Sequence, residues 1–250
     1  MIKLSDRIYY LPYDEATDRP NLGYIRGDRF SLMIDAGNSH NHVQLFMEAL
    51  EREGLKKPDF VGITHWHWDH TYGLHAVGAI SIACHKTNDL LHTMSGWSFS
   101  DEAMEARIKS GEDILFCTQM IQKEYPDRNQ IHIVPADLVF EEELQLDLGG
   151  ITCHMIRVGG SHSEDSVIFY LPEEKFLFLG DSDSEDLHHG EPSYHPELLQ
   201  KYYETVKALD FKYSLHGHWV PQTREEQLSF LEEMLEKLRS PAPTGPGYQG

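Results

Sequence analysis

The chain has 250 residues, 40% hydrophobic and 25% charged, which is ordinary for a globular protein and long enough to bury a substantial core. Its 21 basic against 41 acidic side chains leave a formal charge of −20, which repels phosphate backbones and anionic lipid and argues against nucleic acid as substrate or partner. No apolar run reaches the roughly 18 residues that a bilayer span needs, and the first residues carry no secretory-type apolar core, so no membrane partner is expected and the cytoplasm is the expected location.

Short β-prone runs at residues 8–11, 22–26 and 30–34 open the chain, the last two separated by the turn residues Gly27 and Asp28. Val43, Phe46, Met47 and Leu50 then follow helical spacing, with Gly54 as the stop. Residues 60–64 and 81–84 read as further strands. Residues 86–130 break the rhythm with irregular helical patterning (Met104, Ile108, Leu115, Ile121) and read as a helical insertion. Strands return at 138–140, 144–148, 151–158, 167–171 and 176–179, and the last two are continuous apolar runs suited to central positions. A helix opens near Pro196 and carries Leu198, Leu199, Tyr202, Val206 and Leu209 on one side. A short strand at 213–215 and a helix introduced by a Thr223/Glu226 capping box, with Leu228, Leu231, Leu235 and Leu238 as its stripe, complete the series. Strands then helix, twice, suggests two sheets with helices outside in one domain, residues 1–240, followed by a disordered tail at 241–250.

The cysteines, Cys84, Cys117 and Cys153, are far apart and form no C-x-x-C pair, so neither a disulfide framework nor a thiolate zinc site is expected; each reads as a buried thiol in a reducing compartment. Histidine is the unusual component. There are 16, and four metal-competent side chains fall within six positions in Thr64-His65-Trp66-His67-Trp68-Asp69-His70. From the residue frequencies, such an H-x-H-x-D-H string arises by chance in about 0.005 of chains of this length. His65 and His67, two apart at the end of a strand, should leave the chain on one side, with Asp69 and His70 at the first turn of a helix. Imidazoles mixed with a carboxylate suit zinc or another borderline divalent ion better than calcium or magnesium.

With this motif behind a short strand in a two-half, β-rich chain, the sequence resembles the metallo-β-lactamase superfamily over about residues 7–238, the 86–130 insertion being unmatched. That resemblance implies an α+β fold, a four-layer αββα sandwich of two mixed sheets. Three later segments fall in the family's order: Gly160 to Ser166 around His162, Gly180-Asp181 after an apolar strand, and Leu215-His216-Gly217-His218. It implies that His65, His67 and His162 hold one divalent metal, that Asp69, His70 and His218 hold a second, and that Asp181 bridges. His216 stands where the family usually has proline, so His218 is the better match and His216 a substitute or supporting residue. Zn²⁺ is the expected ion, with Mn²⁺ or Fe²⁺ as alternatives. Asp165, Asp183 and Glu185 are candidates to hold the remaining ring nitrogens.

The activity implied is hydrolysis of a small molecule by a hydroxide activated between the two metals, with Asp69 and Asp181 as catalytic residues that orient it and move its proton. The complete motif with Gly-Asp resembles members cleaving esters, thioesters and lactones. Class B β-lactamases carry cysteine at the position of Asp181, lack a histidine at that of His70, and place lysine shortly after; here Ser182 to Asp186 would repel a carboxylate. β-Lactam hydrolysis is therefore an alternative, as are a mononuclear-iron, sulfur dioxygenase-like activity and a non-enzymatic member. Trp97, Phe99, Phe116 and Met120 are candidates for an apolar pocket wall, although packing of the insertion onto the domain is the more economical account of any one of them. Trp66 and Trp68 read as buttresses, and His188 and His189 as parts of a solvated loop.

Overall fold

The computed structural model describes residues 1–239, so the expected tail lies outside the described residues. Strands β1 (Ile2–Lys3), β2 (Ile8–Leu11), β3 (Leu22–Arg26) and β4 (Ser31–Ile34) form an antiparallel meander. Helix α1 (His40–Arg52) crosses over to β5 (Phe60–Gly62), and two short helices, α2 (Trp68–Thr71) and α3 (Leu74–Val77), lead to β6 (Ile80–Cys84). Helices α4 (His85–Met94), α5 (Asp101–Ser110) and α6 (Leu115–Glu124) then precede β7 (Leu138–Phe140). The crossovers make β4 to β7 parallel, and the seven strands lie side by side in chain order.

The second sheet holds β8 (Glu143–Asp147), β9 (Thr152–Arg157), β10 (Val167–Leu171), β11 (Phe176–Gly180), β12 (Tyr213–His216) and β13 (Gln222–Thr223), ordered β13-β12-β11-β10-β9-β8. Helix α7 (Pro196–Ala208) carries the chain from β11 to its parallel neighbour β12, and α8 (Arg224–Arg239) closes the described chain. The continuous apolar runs at β10 and β11 are indeed the central strands. Thr223 and Glu226 form the capping box: the Thr223 backbone N–H donates to Glu226 Oε2 at 2.7 Å, and the Glu226 N–H donates to Thr223 Oγ1 at 3.2 Å.

Period-two alternation sorts the strand side chains into three cores. Ile8, Tyr10, Leu32, Ile34 and Ile82 meet Met155, Val167, Phe169, Phe176 and Phe178 between the sheets. Their neighbours Tyr9, Met33 and Ala83 turn outward under α1, α4, α5 and α6, while Ile168, Leu177 and Leu179 pack beneath α7 and α8. Helices, sheet, sheet and helices thus form the four layers expected. All three cysteines are buried and unpaired, and burial raises their thiol pKa values. Among the described residues no helix is long and apolar enough to cross a membrane.

The insertion is helical as expected, with Met104 and Ile121 in the core, but Leu115 is exposed. Buried Arg107 shares the inner face of α5 with Met104. Its guanidinium lies over the rings of Trp97 (4.4 Å) and Phe99 (5.3 Å) and donates to the Ser98 carbonyl at 2.9 Å. An apolar count along the helix misses a residue that buries its stem and stacks its charge.

One buried group makes the fold acid-sensitive. His42 on α1 is 1% exposed, and its Nδ1 has no partner among the described residues. Burial, reinforced by Arg19, lowers its pKa to about 3. The unfolded chain takes up this proton near pH 6.5 while the folded chain refuses it until about pH 3, so the contribution is intact above pH 6.5 and falls as pH drops. Between pH 6.5 and 5 the loss is roughly 2 kcal/mol at 1.36 kcal/mol per unit. His42→Leu should flatten the fall in denaturant-derived stability between pH 7 and 5 by about that amount; parallel slopes for the two proteins would rule the assignment out.

Candidate metal centre

The site lies where the C-terminal ends of β5 and β11 meet between the sheets. β5 ends at Gly62 rather than continuing to residue 64, and Phe169 of the facing sheet approaches so closely there that an added Cβ would lie 2.4 Å from its ring, so only glycine fits at 62. The chain then leaves the ladder but stays anchored. Thr64 N–H donates to Asp35 Oδ1 (2.8 Å), and the Thr64 carbonyl accepts from Val167 N–H of the second sheet (2.7 Å). His65 and His67 therefore project from a connecting segment, not from a strand end, and Asp69 and His70 sit in the first turn of α2.

Two groups of side chains converge here. In the first, His67 Nδ1 lies 3.0 Å from His65 Nε2 and 2.9 Å from His162 Nε2, and the two Nε2 atoms are 3.3 Å apart. Burial, then the crowding of neighbouring imidazoles, holds His65 and His67 well below the usual histidine pKa, and burial lowers His162. All three are consequently neutral near pH 7 and offer lone pairs, the form a metal requires.

In the second group, Asp69 Oδ2 lies 3.0 Å from His218 Nε2 and 3.1 Å from His70 Nε2, and Asp181 Oδ2 lies 3.3 and 3.6 Å from the same nitrogens. Asp181 Oδ2 is also 3.8 Å from His162 Nε2, so this carboxylate faces both groups. Burial alone would raise both acids, but His70 and His218 outweigh it at Asp69, and His218, His70 and His216 outweigh it at Asp181, holding both low. Burial would lower the two histidines, but the carboxylates override it, raising His70 and bringing His218 up to about 10. The second group carries a surplus of negative charge that only a cation, or protons in its place, balances.

The residues fit a bound metal on a separate observation. His70 Nε2 and Asp181 Oδ1 are buried with no hydrogen-bond partner among the described residues, a costly arrangement unless something else satisfies them. The backbone is also shaped around them. A Cβ at Gly217 would fall 2.1 Å from Asp181 Oδ1, and a Cβ at Gly180, itself at φ +54°, would fall 2.6 Å from Thr64 Cβ.

Supporting contacts orient the rings. His70 Nδ1 lies 2.7 Å from Asp35 Oδ2, Thr64 Oγ1 sits 2.9 and 3.0 Å from the two Asp35 oxygens and 3.0 Å from His65 Nδ1, and His162 Nδ1 donates to the Glu185 carbonyl at 3.0 Å. Of the three candidates from sequence, Glu185 thus acts through its backbone, and Asp183 faces His216 Nε2 at 3.2 Å. Asp165 instead accepts from Thr87 (2.7 Å) and Ser163 and reaches no ligand ring. Asp35 was missed in the sequence, where the signal is its place directly after an apolar strand, before Ala36-Gly37. His216 has both nitrogens engaged, Nδ1 accepting from His218 N–H (2.9 Å) and Nε2 with Ser184 Oγ (2.9 Å), and its ring stacks on Trp219; His218, not His216, presents Nε2 to the second group.

A cavity of about 460 Å³ opens over both groups, with Ile114, Phe116, Leu187 and Trp219 on its walls and Glu15 and Asp18 among its lining. Burial, then the Asp69 carboxylate, pushes Asp18 up to about 7. Of the four insertion residues proposed for a wall, only Phe116 lines this cavity; Trp97 and Phe99 cover Arg107, and Met120 packs on the core. His188 is not part of a solvated loop: its ring stacks on His67, 4.6 Å centroid to centroid at 24°. It stands between this cavity and a second of about 540 Å³ that Trp66 helps to line, whereas His189 is exposed and pairs with Asp186. Trp68 is buried against Tyr72, and half-buried Trp66 packs on the core and lies edge-on to the His67 ring at 4.7 Å between centroids, so both act as buttresses, although Trp66 also lines the second cavity.

A sequence model described as "Metallo-beta-lactamase superfamily" matches residues 17–218. Among solved structures, a metallo-β-lactamase family protein from Thermus thermophilus superposes with a TM-score of 0.64 at 18% identity, over 95% of this chain and 81% of that one. A metallo-β-lactamase from Pontibacter korlensis gives 0.63 at 18%, over 96% and 98%. The inverting sec-alkylsulfatase Pisa1 from Pseudomonas sp. gives 0.69 at 14%, over 94% of this chain but 40% of its own. These likenesses are of fold. No curated protein sequence matches the chain.

Proposed function

The chain belongs to the metallo-β-lactamase superfamily, and from that premise we propose that it is a metal-dependent hydrolase of a small ester, thioester, lactone or related carbonyl compound. His65, His67 and His162 would hold one divalent cation, and Asp69, His70 and His218 a second, with Asp181 between them. The mixed imidazole and carboxylate donors suit Zn²⁺, with Mn²⁺ or Fe²⁺ as alternatives. Bound there, such a pair supplies Lewis acidity toward a carbonyl oxygen and a water acidic enough to ionise near neutral pH.

The protein's own groups do the rest. Asp69 and Asp181 are placed to orient the attacking water and to carry its proton to the leaving group. The Asp35 carboxylate and the Glu185 carbonyl fix His70 and His162, so that the nitrogens facing the cavity remain free. No serine or cysteine nucleophile is required. The three buried free thiols fit a reducing compartment, so the cytoplasm is the proposed location.

The observation that carries this reading is the convergence of seven side chains from four separated segments on one buried point, two of whose polar atoms make no hydrogen bond among the described residues. Reconstitution with zinc, manganese or iron, followed by metal analysis and an ester, thioester, lactone and phosphodiester panel on the same sample, tests it. Two zinc or manganese ions per chain with carbonyl-ester cleavage is the expected result. One iron with oxygen uptake would replace the hydrolase with an oxygenase-type redox enzyme, and bound metal with no turnover would make the chain a binding protein.

A further inference from the structure

The cavity over the metal centre also selects by charge, an inference that rests on the hydrolase reading and narrows its substrate class. Apart from the ligand residues and Cys117, Ser184, His188 and His216 beside them, the lining has two characters. Ile114, Phe116, Leu187 and Trp219 form an apolar wall, and Glu15 and Asp18 supply the charge; among the described residues no lysine or arginine lines the space. The cations on flanking segments are committed elsewhere: Arg19 pairs with Glu124 at 2.8 Å, and Lys123 donates to the Ala16 carbonyl at 2.9 Å. Lys86, in the neighbouring cavity, pairs with Glu164.

Asp18 is fixed in this wall by the backbone. It ends the short 3-10 turn Glu15–Thr17 in the left-handed region at φ 55°, and its Oδ1 lies 3.9 Å from His218 Nδ1. In the same cavity, buried Asp181 Oδ1 accepts no hydrogen bond among the described residues. A substrate whose scissile carbonyl reaches the ligand groups must place its remaining atoms on the apolar wall or beside Glu15 and Asp18. A carboxylate or phosphate remote from the scissile bond finds no cation on these walls, only the Ser184 hydroxyl and the His188 ring as uncharged partners, and it meets the carboxylates of half-buried Asp18 and exposed Glu15.

We infer that the substrate is an ester, thioester or lactone whose part remote from the scissile bond is apolar and uncharged, and that Asp18 and Glu15 exclude anionic analogues. The apolar wall supplies the binding energy, and the two carboxylates supply the discrimination.

The test uses matched pairs on the zinc-loaded protein at about pH 8.5, where Asp18, with its pKa of about 7, is ionised as well as Glu15. The first pair is the nitrophenyl ester of octanoic acid and the mono-nitrophenyl ester of octanedioic acid, which differ only in a terminal methyl or carboxylate. The second is a methyl heptyl ketone and its analogue with a carboxylate on the far end, uncleavable compounds whose binding is read by calorimetry. The expected preference for the uncharged member is about tenfold or more in both kcat/KM and Kd. The double variant Asp18→Asn, Glu15→Gln should cut that preference to about threefold or less; asparagine tolerates the left-handed backbone at position 18. Equal or tighter binding of the carboxylate ketone overturns the inference, as does an unchanged preference in the double variant. Ketone discrimination with no ester cleaved would retain the charge selection and remove the hydrolase reading instead.

Discussion

Asp181→Asn is expected to lower kcat/KM by about a thousandfold and to reduce bound metal from two ions per chain to about one. Asp181 is the carboxylate whose oxygen lies within 4 Å of nitrogens in both groups, 3.3 Å from His218, 3.6 Å from His70 and 3.8 Å from His162. Asparagine keeps the shape and the polar surface, so Gly217 still passes over it and the fold is retained. What disappears is the negative charge that would offset the two closely spaced cations proposed for this site, together with an oxygen available to accept the attacking water's proton. Such electrostatic contributions are worth several kcal/mol in a dry site, and about 4 kcal/mol corresponds to the thousandfold loss. Metal analysis, kcat/KM and a thermal melt on one preparation distinguish the cases. A folded variant with two ions and more than a tenth of the activity would remove Asp181 from the centre.

Sequence pattern exposed what is local or periodic. The four closely spaced ligand candidates within 65–70, the apolar runs of β10 and β11 and the Thr223/Glu226 box all carry their information within one to seven residues. What the sequence hid depends on partners far along the chain. Asp35 looks like an ordinary turn acid after a strand, and only the parallel pairing of β4 with β5 brings it to Thr64 and His70. Trp97 and Phe99 advertise an apolar surface without saying that Arg107, rather than a ligand, will cover it. His188 belongs to a polar stretch, and its stacking on His67 follows from the path of the connection between β11 and α7, which no periodicity reports. The need for glycine at 62 has the same origin, since Phe169 of the opposite sheet leaves no room for a Cβ there.

Asp35→Asn should weaken binding of one metal equivalent by 10- to 100-fold while leaving the other nearly unchanged. Asp35 is 2% exposed and held at φ 60°, a conformation asparagine also tolerates, so the exchange does not strain the backbone. Its carboxylate accepts from Thr64 N–H and Thr64 Oγ1 on one side and faces His70 Nδ1 at 2.7 Å on the other. An ionised acid accepts from all of these; an asparagine must turn its NH₂ toward one of them. Turned to Thr64, it confronts the backbone N–H with a donor. Turned to His70, it forces Nδ1 to give up its proton, which moves to Nε2, the nitrogen that faces Asp69 and Asp181. The second group then loses a lone pair while His65, His67 and His162 keep theirs. Thr64→Val is the comparison: it removes one donor to Asp35 without changing the His70 tautomer, and because its hydroxyl also faces His65 Nδ1 any loss of affinity should fall on the other metal equivalent. If both metal equivalents weaken together in Asp35→Asn, or if melting temperature falls with both affinities intact, then Asp35 supports the fold and not the orientation of His70.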